Sequence, residues 1–157
     1  MSASERHLPA GEYGFQDLCK GDHYETGGIV VTETHVVMFA GLSGDLFDVH
    51  MDDAFAKAQG FSGRLAHGLL GLALTDGLKN RSAVRLMAVA SLGWTWAFRA
   101  PILIGDRISA RIRVAETRLS SKGQGIVTLA ITVSKQGGVV VQDGETTLIV
   151  RLRPAAA

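Results

Sequence analysis

Residues 66–78 carry apolar side chains on every side of a predicted helix: Leu69, Leu70, Leu72, Ala73, Leu74 and Leu78 surround the axis instead of forming one stripe. A helix that is apolar all round needs cover on all sides. The chain that follows it is almost entirely strand-like. Leu92, Trp94, Trp96 and Phe98 share one face of an alternating run. Ile108, Ala110, Ile112 and Val114 alternate with Arg107, Ser109, Arg111 and Arg113, and Val127, Leu129, Ile131 and Val133 alternate with Thr128, Ala130 and Thr132. Residues 139–152 make a last strand, with a bulge expected near Asp143-Gly144. The connections at 120–124 and 136–138 are short and rich in Gly or polar residues, so these strands should be antiparallel neighbours. The expected fold class is therefore α+β, an antiparallel β-sheet wrapped around a long buried central helix. Gly68, Gly71 and Gly77 each cost that helix about 1 kcal/mol relative to Ala. Close approach of the sheet or of a ligand is the expected compensation.

The 157 residues are read as one domain, with a core over about 12–152. A hydrophobic fraction of 46% and a charged fraction of 20% exclude a disordered chain. A net charge of +1 gives no electrostatic case for nucleic acid, although it tolerates a phosphate-bearing ligand. The lone Cys19 cannot form an intrachain disulfide or a thiolate metal cluster, which fits a reducing cytoplasm. Residues 1–11 lack the apolar core of a signal sequence, and no apolar run approaches the ~20 residues that span a bilayer, so no membrane partner is expected. Residues 154–157 read as a frayed tail.

The first third mixes short elements. Residues 23–31 suit a strand, and Thr32 is a candidate N-cap for a helix running to Gly41. Residues 52–58 suit a second short helix, with acidic residues at its start, where the helix dipole favours them.

Between these helices lies the segment that points at chemistry. Asp45 and His50 are five positions apart. On a helix that spacing separates two side chains by roughly 140°, and on a strand it sends them to opposite faces. They converge only if the intervening segment bends. Gly44 permits a bend, and Asp48 suits a turn. A converged carboxylate and imidazole can share a water molecule, one accepting its proton while the other delivers a proton nearby. The helix opening at His67-Gly68 supplies a second requirement. Its first N–H groups have no intrahelical acceptor and carry the positive end of the dipole, so they would polarise a carbonyl placed before them.

The stretch Phe39-Ala40-Gly41-Leu42-Ser43-Gly44-Asp45-Leu46-Phe47-Asp48-Val49-His50, closing with Ala56, resembles the signature of the MaoC-like, (R)-specific enoyl-CoA hydratases. Arg64-Leu65-Ala66-His67-Gly68-Leu69-Leu70 resembles that family's entry into its central helix, and Ala97-Phe98-Arg99-Ala100-Pro101 with Gly105-Asp106 resembles its strand-and-turn segment. The resemblance covers roughly residues 12–152 and implies a single hot-dog domain working as a homodimer or larger homo-oligomer. It implies syn addition of water to a trans-2-enoyl-CoA, giving an (R)-3-hydroxyacyl-CoA, or the reverse dehydration, as in fatty acid metabolism. Asp45 and His50 would orient and activate the water and move its proton to the α-carbon. The Gly68 N–H would hold the thioester oxygen. No metal and no redox cofactor is implied; the CoA belongs to the substrate, and an acyl-carrier-protein thioester is the alternative.

The chain departs from the family pattern where Asn-Pro is replaced by Phe47-Asp48. Phe47 cannot make the Asn hydrogen bond and can instead shape an acyl pocket. Asp76 stands where some members place a Ser, and a buried carboxylate there would need a polar partner. His67 is expected to be structural at the helix start, and Ser43 a turn hydroxyl that could also touch water or substrate. Arg64 could contact the CoA phosphates; the same holds for the strand face of Arg107, Arg111 and Arg113, whose simpler role is a solvated surface. Trp94 and Trp96 are expected in the core or at a dimer interface. Two other functions stay open: a hot-dog acyl-CoA thioesterase, with water attacking the carbonyl, and a non-catalytic acyl-CoA-binding subunit whose site has decayed at Phe47-Asp48.

Overall fold

The computed structural model describes residues 5–154; residues 155–157 of the expected tail and the first four residues lie outside them. Three short strands come first: β1 (Gly11–Tyr13), β2 (His23–Glu25) and β3 (Ile29–Val30). Four helices follow: α1 (Glu33–Ser43), α2 (Asp48–Met51), α3 (Asp53–Ala58) and α4 (Gly68–Asn80). The chain ends in β4 (Val84–Leu86), β5 (Ala88–Phe98), β6 (Arg107–Leu119), β7 (Gly125–Lys135) and β8 (Val140–Val150). The six-stranded sheet runs β2-β6-β7-β8-β5, with β3 also on β6, while β1 and β4 form a separate parallel pair. The β6–β7, β7–β8 and β5–β8 pairings are all antiparallel, as the short connections required.

Period-2 alternation places Ile108, Ala110, Ile112 and Val114 of β6, with Val127, Leu129, Ile131 and Val133 of β7, in one buried layer. That layer packs with Leu70 and Leu78 of α4, so the sheet does curl around the helix. The helix is not covered on all sides, however. Leu70, Gly71, Thr75, Leu78 and Lys79 are buried, whereas Leu69 is 61% exposed and Ala73 and Gly77 share its open side. Apolar composition had implied complete burial; in the single chain the sheet covers one face only.

Several boundaries also differ from the sequence reading. The 23–31 strand breaks at Thr26, whose hydroxyl accepts the Ala110 N–H at 2.9 Å and so replaces a ladder bond. Thr32 does cap α1, accepting the His35 N–H, but the helix passes Gly41 and ends at Ser43, with Gly44 in the left-handed region at φ 78°. The fourth helix, by contrast, opens at His67-Gly68 as expected, with His67 as its N-cap, and the Ala66 N–H ahead of it is tied to Ile102 O at 2.8 Å. The bulge in β8 lies at Val141, between the Val133/Gln142 and Ser134/Val140 pairs, and not at Asp143-Gly144, which pair regularly with Ala97 and Trp96. Asp76 is only half-buried and meets Lys79 Nζ at 2.7 Å, which answers the question its position raised.

Candidate active site

The site is built where the loop after α1 meets the start of α4. Gly44 turns the chain, and the Asp45 carboxylate folds back to accept the Phe47 N–H at 3.3 Å. One turn of helix, α2, then carries His50 underneath it. The outcome is the convergence expected from the motif: Asp45 Oδ2 lies 3.9 Å from His50 Nε2. That separation is too long for a direct hydrogen bond and suits one bridging water. The pair faces solvent unequally, the carboxylate being 52% exposed and the imidazole 12%.

The hydrogen bonds around the imidazoles define their tautomers. His50 Nδ1 is 2.8 Å from Leu65 O. A carbonyl can only accept, so Nδ1 carries a proton, and Nε2 is the nitrogen that faces Asp45 and that in the neutral tautomer offers a lone pair. His67, which is buried, donates from Nε2 to Asp45 O at 2.9 Å and so pins the loop that carries the carboxylate. Its ring stacks on His50, with centroids 3.8 Å apart and planes 25° from parallel, and tilts against Phe39.

Asp45, His50 and His67 each offer a ligand atom within 4.8 Å of the others. A metal lies close to the plane of each imidazole that binds it. Two nearly parallel stacked rings have no nearby point in both planes, so this grouping is shaped for proton transfer and loop positioning better than for a cation.

Helix α4 presents its N-terminus to the same place. Its N-cap, His67, makes no side-chain cap, so the first-turn N–H groups are left without the usual internal acceptor. Gly68 is the first of them. A Cβ on Gly68 would come within 2.6 Å of the Phe98 ring, so the missing side chain admits Phe98 from β5. His50, Phe61, Leu65, Gly68, Phe98 and Gln142 line an adjoining cleft of about 370 Å³.

The other residues singled out in the sequence have definite places. Ser43 Oγ donates to Phe39 O at 2.7 Å and accepts the Asp45 N–H at 3.2 Å, a turn role that also steadies Asp45. Phe47 is exposed, with its ring edge-on to His50 and Phe55 at centroid distances of 6.3 and 5.8 Å. Arg64 bonds Glu33 Oε1 at 2.8 Å and lies 3.6 Å from Asp53 Oδ2. The Glu33 hydrogen bond raises its pKa, so the guanidinium is committed to carboxylates beside the site. Arg111 reaches Glu5 and Glu25, and Trp94 and Trp96 pack edge-to-face on β5 with centroids 5.5 Å apart. Three participants were missed from sequence: the Leu65 carbonyl, Phe98 and Gln142. A backbone carbonyl has no residue signature. Gln142 does leave one faint mark, a polar residue directly after the apolar run 139–141.

Comparison with known proteins bears on the family and the fold. Residues 17–150 match the MaoC-like domain family. The chain is similar to the (R)-specific enoyl-CoA hydratase of Aeromonas caviae, at 31% identity over 72% of this chain and 81% of that protein. Its structure is similar to that of the MaoC-like dehydratase from Rhodospirillum rubrum, with a TM-score of 0.83 and 26% identity over 90% of this chain and 99% of the other. A Mycobacterium tuberculosis protein described as a double hot-dog fold superposes with a TM-score of 0.82 at 20% identity, covering 96% of this chain and 47% of that one. The last likeness bears on fold alone, and the fold is the hot-dog fold.

Proposed function

Because the chain belongs to the MaoC-like domain family over residues 17–150, we propose that it adds water reversibly to the double bond of a trans-2-enoyl-CoA, giving an (R)-3-hydroxyacyl-CoA. The observation that carries the reading is the 3.9 Å gap between Asp45 Oδ2 and His50 Nε2, beside a helix N-terminus that no side chain caps. A water held in that gap donates to both groups. As its oxygen attacks the β-carbon, one group accepts the water's proton and passes that proton to the α-carbon from the same side. Hydroxyl and hydrogen thus add syn, and the overall change is one water across one double bond. During attack the thioester oxygen gains charge, which the Gly68 N–H and the α4 dipole stabilise. Losing one such donor in comparable sites costs about 3–4 kcal/mol. Neither a metal nor a redox cofactor is needed, because no electrons leave the substrate and the helix supplies the carbonyl polarisation. In the reverse direction the same groups eliminate water.

The proposed working form is a homodimer or larger homo-oligomer. In support, β5 is an end strand of the sheet, and Val89 and Leu92 on it are exposed. An apolar unpaired edge is a template for a second chain.

The test is to incubate the protein with trans-2-enoyl-CoAs of graded chain length and to analyse the products by mass and chirality. An (R)-3-hydroxyacyl-CoA supports the reading and its preferred chain length defines the acyl pocket. Free CoA would move the protein to the thioesterases, and binding without product would make it a non-catalytic acyl-CoA-binding subunit.

A further inference from the structure

Gln142 lies on β8 directly after the bulged residue Val141, and its side chain is buried, at 2% exposure. A buried primary amide is costly unless its polar atoms are paired. Here both ends are used. Its Oε1 accepts the Trp96 indole N–H at 3.0 Å, and its Nε2 donates to Gly68 O at 2.9 Å. The amide therefore ties the end strand β5 to the first residue of α4 through one side chain. The fit is close: a Cβ on Gly71 would come within 2.4 Å of Gln142 Nε2, so the glycine on the next turn exists where the amide lies against the helix. Gln142 also lines the cleft that holds His50 and Gly68.

We propose that Gln142 is a positioning residue that fixes the first turn of α4, and with it the N–H groups that polarise the thioester carbonyl. The inference rests on the hydratase reading given above. Two consequences of the geometry make the role more than packing. Trp96 holds the amide with its oxygen toward the indole, so the NH₂ end is aimed at Gly68 O. The bond to Gly68 O also adds a second donor to the carbonyl that begins the helix, further polarising the peptide unit whose own N–H, that of Leu69, points out of the helix end. A donor array has to be held in place before the reaction to be effective, so a slack first turn should weaken transition-state stabilisation more than substrate binding.

The test uses Gln142→Met, which keeps the length and volume of the side chain and removes both hydrogen bonds. Hydration of the best enoyl-CoA should fall in kcat by roughly 10- to 100-fold, the scale below that of losing a donor outright, while KM and the shape of the pH profile, set by Asp45 and His50, stay as in the wild type. Amide hydrogen exchange at Gly71 and Leu72, the next N–H groups of the helix, should become faster than in the wild type. A kcat within two-fold of wild type, or unchanged exchange at those amides, overturns the proposal. If Gln142→Met does not fold, Trp96→Phe releases the amide oxygen alone: a several-fold loss of kcat at constant KM supports the role, and full kcat overturns it. If the wild-type protein hydrates no enoyl-CoA, the hydratase reading fails by itself, and the exchange rates alone decide whether Gln142 holds the helix end.

Discussion

Asp45 and His50 meet because of the backbone groups around them. The Leu65 carbonyl fixes which nitrogen of His50 is free, and His67 holds the Asp45 carbonyl. Replacing Asp45 by Asn or His50 by Ala should each lower kcat by roughly 10²- to 10⁴-fold, as expected for loss of a general acid or base. The double variant should be little worse than either, since the two act as a unit. Circular dichroism and melting temperature should show a folded protein in each case. A different residue governs acid stability. Asp106 is buried, and its carboxylate accepts from the Leu103 N–H, Lys135 Nζ and the Gln136 amide. Burial pushes its pKa up, but those three partners outweigh burial and hold it below the ordinary carboxylate value. A depressed pKa contributes stability that is complete above the unfolded value of about 3.9 and is lost as pH falls through the lower folded value. Asp22, held down by Arg6 and the Cys19 N–H against its burial, adds to the same window. Melting temperature should therefore fall below about pH 4. Asp106→Asn should melt lower at neutral pH and show a shallower acid loss.

At the scale of elements, much was legible because a periodic pattern reports a face directly. The alternation in β6 and β7 identified the inward residues one by one, and Thr32 announced the start of α1. The spacing of Asp45 and His50 set the condition for their convergence, a bend between them, and the family resemblance supplied the expectation that they meet; Gly44 provides the turn. What stayed hidden depends on partners distant in sequence. Gln142 meets Gly68 across 74 positions, and its place after the apolar run 139–141 marks it as unusual without naming the partner. The open face at Leu69, Ala73 and Gly77 was hidden for a related reason: apolar composition shows that cover is needed but not whether one chain supplies it. Two glycines of α4 do have the close neighbours their cost implied, Phe98 over Gly68 and Gln142 over Gly71, whereas a Cβ on Gly77 would meet nothing within 4 Å beyond its own stretch of helix. Gly71→Ala should accordingly destabilise the protein by about 1–3 kcal/mol through overpacking. Gly77→Ala should not lower the melting temperature, because Ala is the better helix former and meets nothing. Thermal melts of the two variants side by side check this contrast.

Over the whole molecule, one sheet and one helix bring together groups from distant parts of the chain. Residues 43–50 supply the proposed acid–base pair, α4 brings its N-terminus beside it, and β5 and β8 meet the helix start through Trp96 and Gln142. No helix among the described residues is long and apolar enough to cross a membrane. The exposed apolar residues of β5 are where the proposed homo-oligomer would form, so Leu92→Lys should shift the protein toward a single-chain mass in analytical ultracentrifugation, by burying a charge at the proposed edge. The central claim is that Asp45, His50 and the α4 N-terminus add water to an enoyl thioester on one face. The most direct measurement is the stereochemistry of the product formed from a trans-2-enoyl-CoA in deuterated water. The account predicts an (R)-3-hydroxyacyl-CoA with one deuterium at C2, on the face that received the hydroxyl, formed at least roughly 100-fold more slowly by the Asp45→Asn protein. An (S) product, an anti arrangement of the label, or release of free CoA would contradict it.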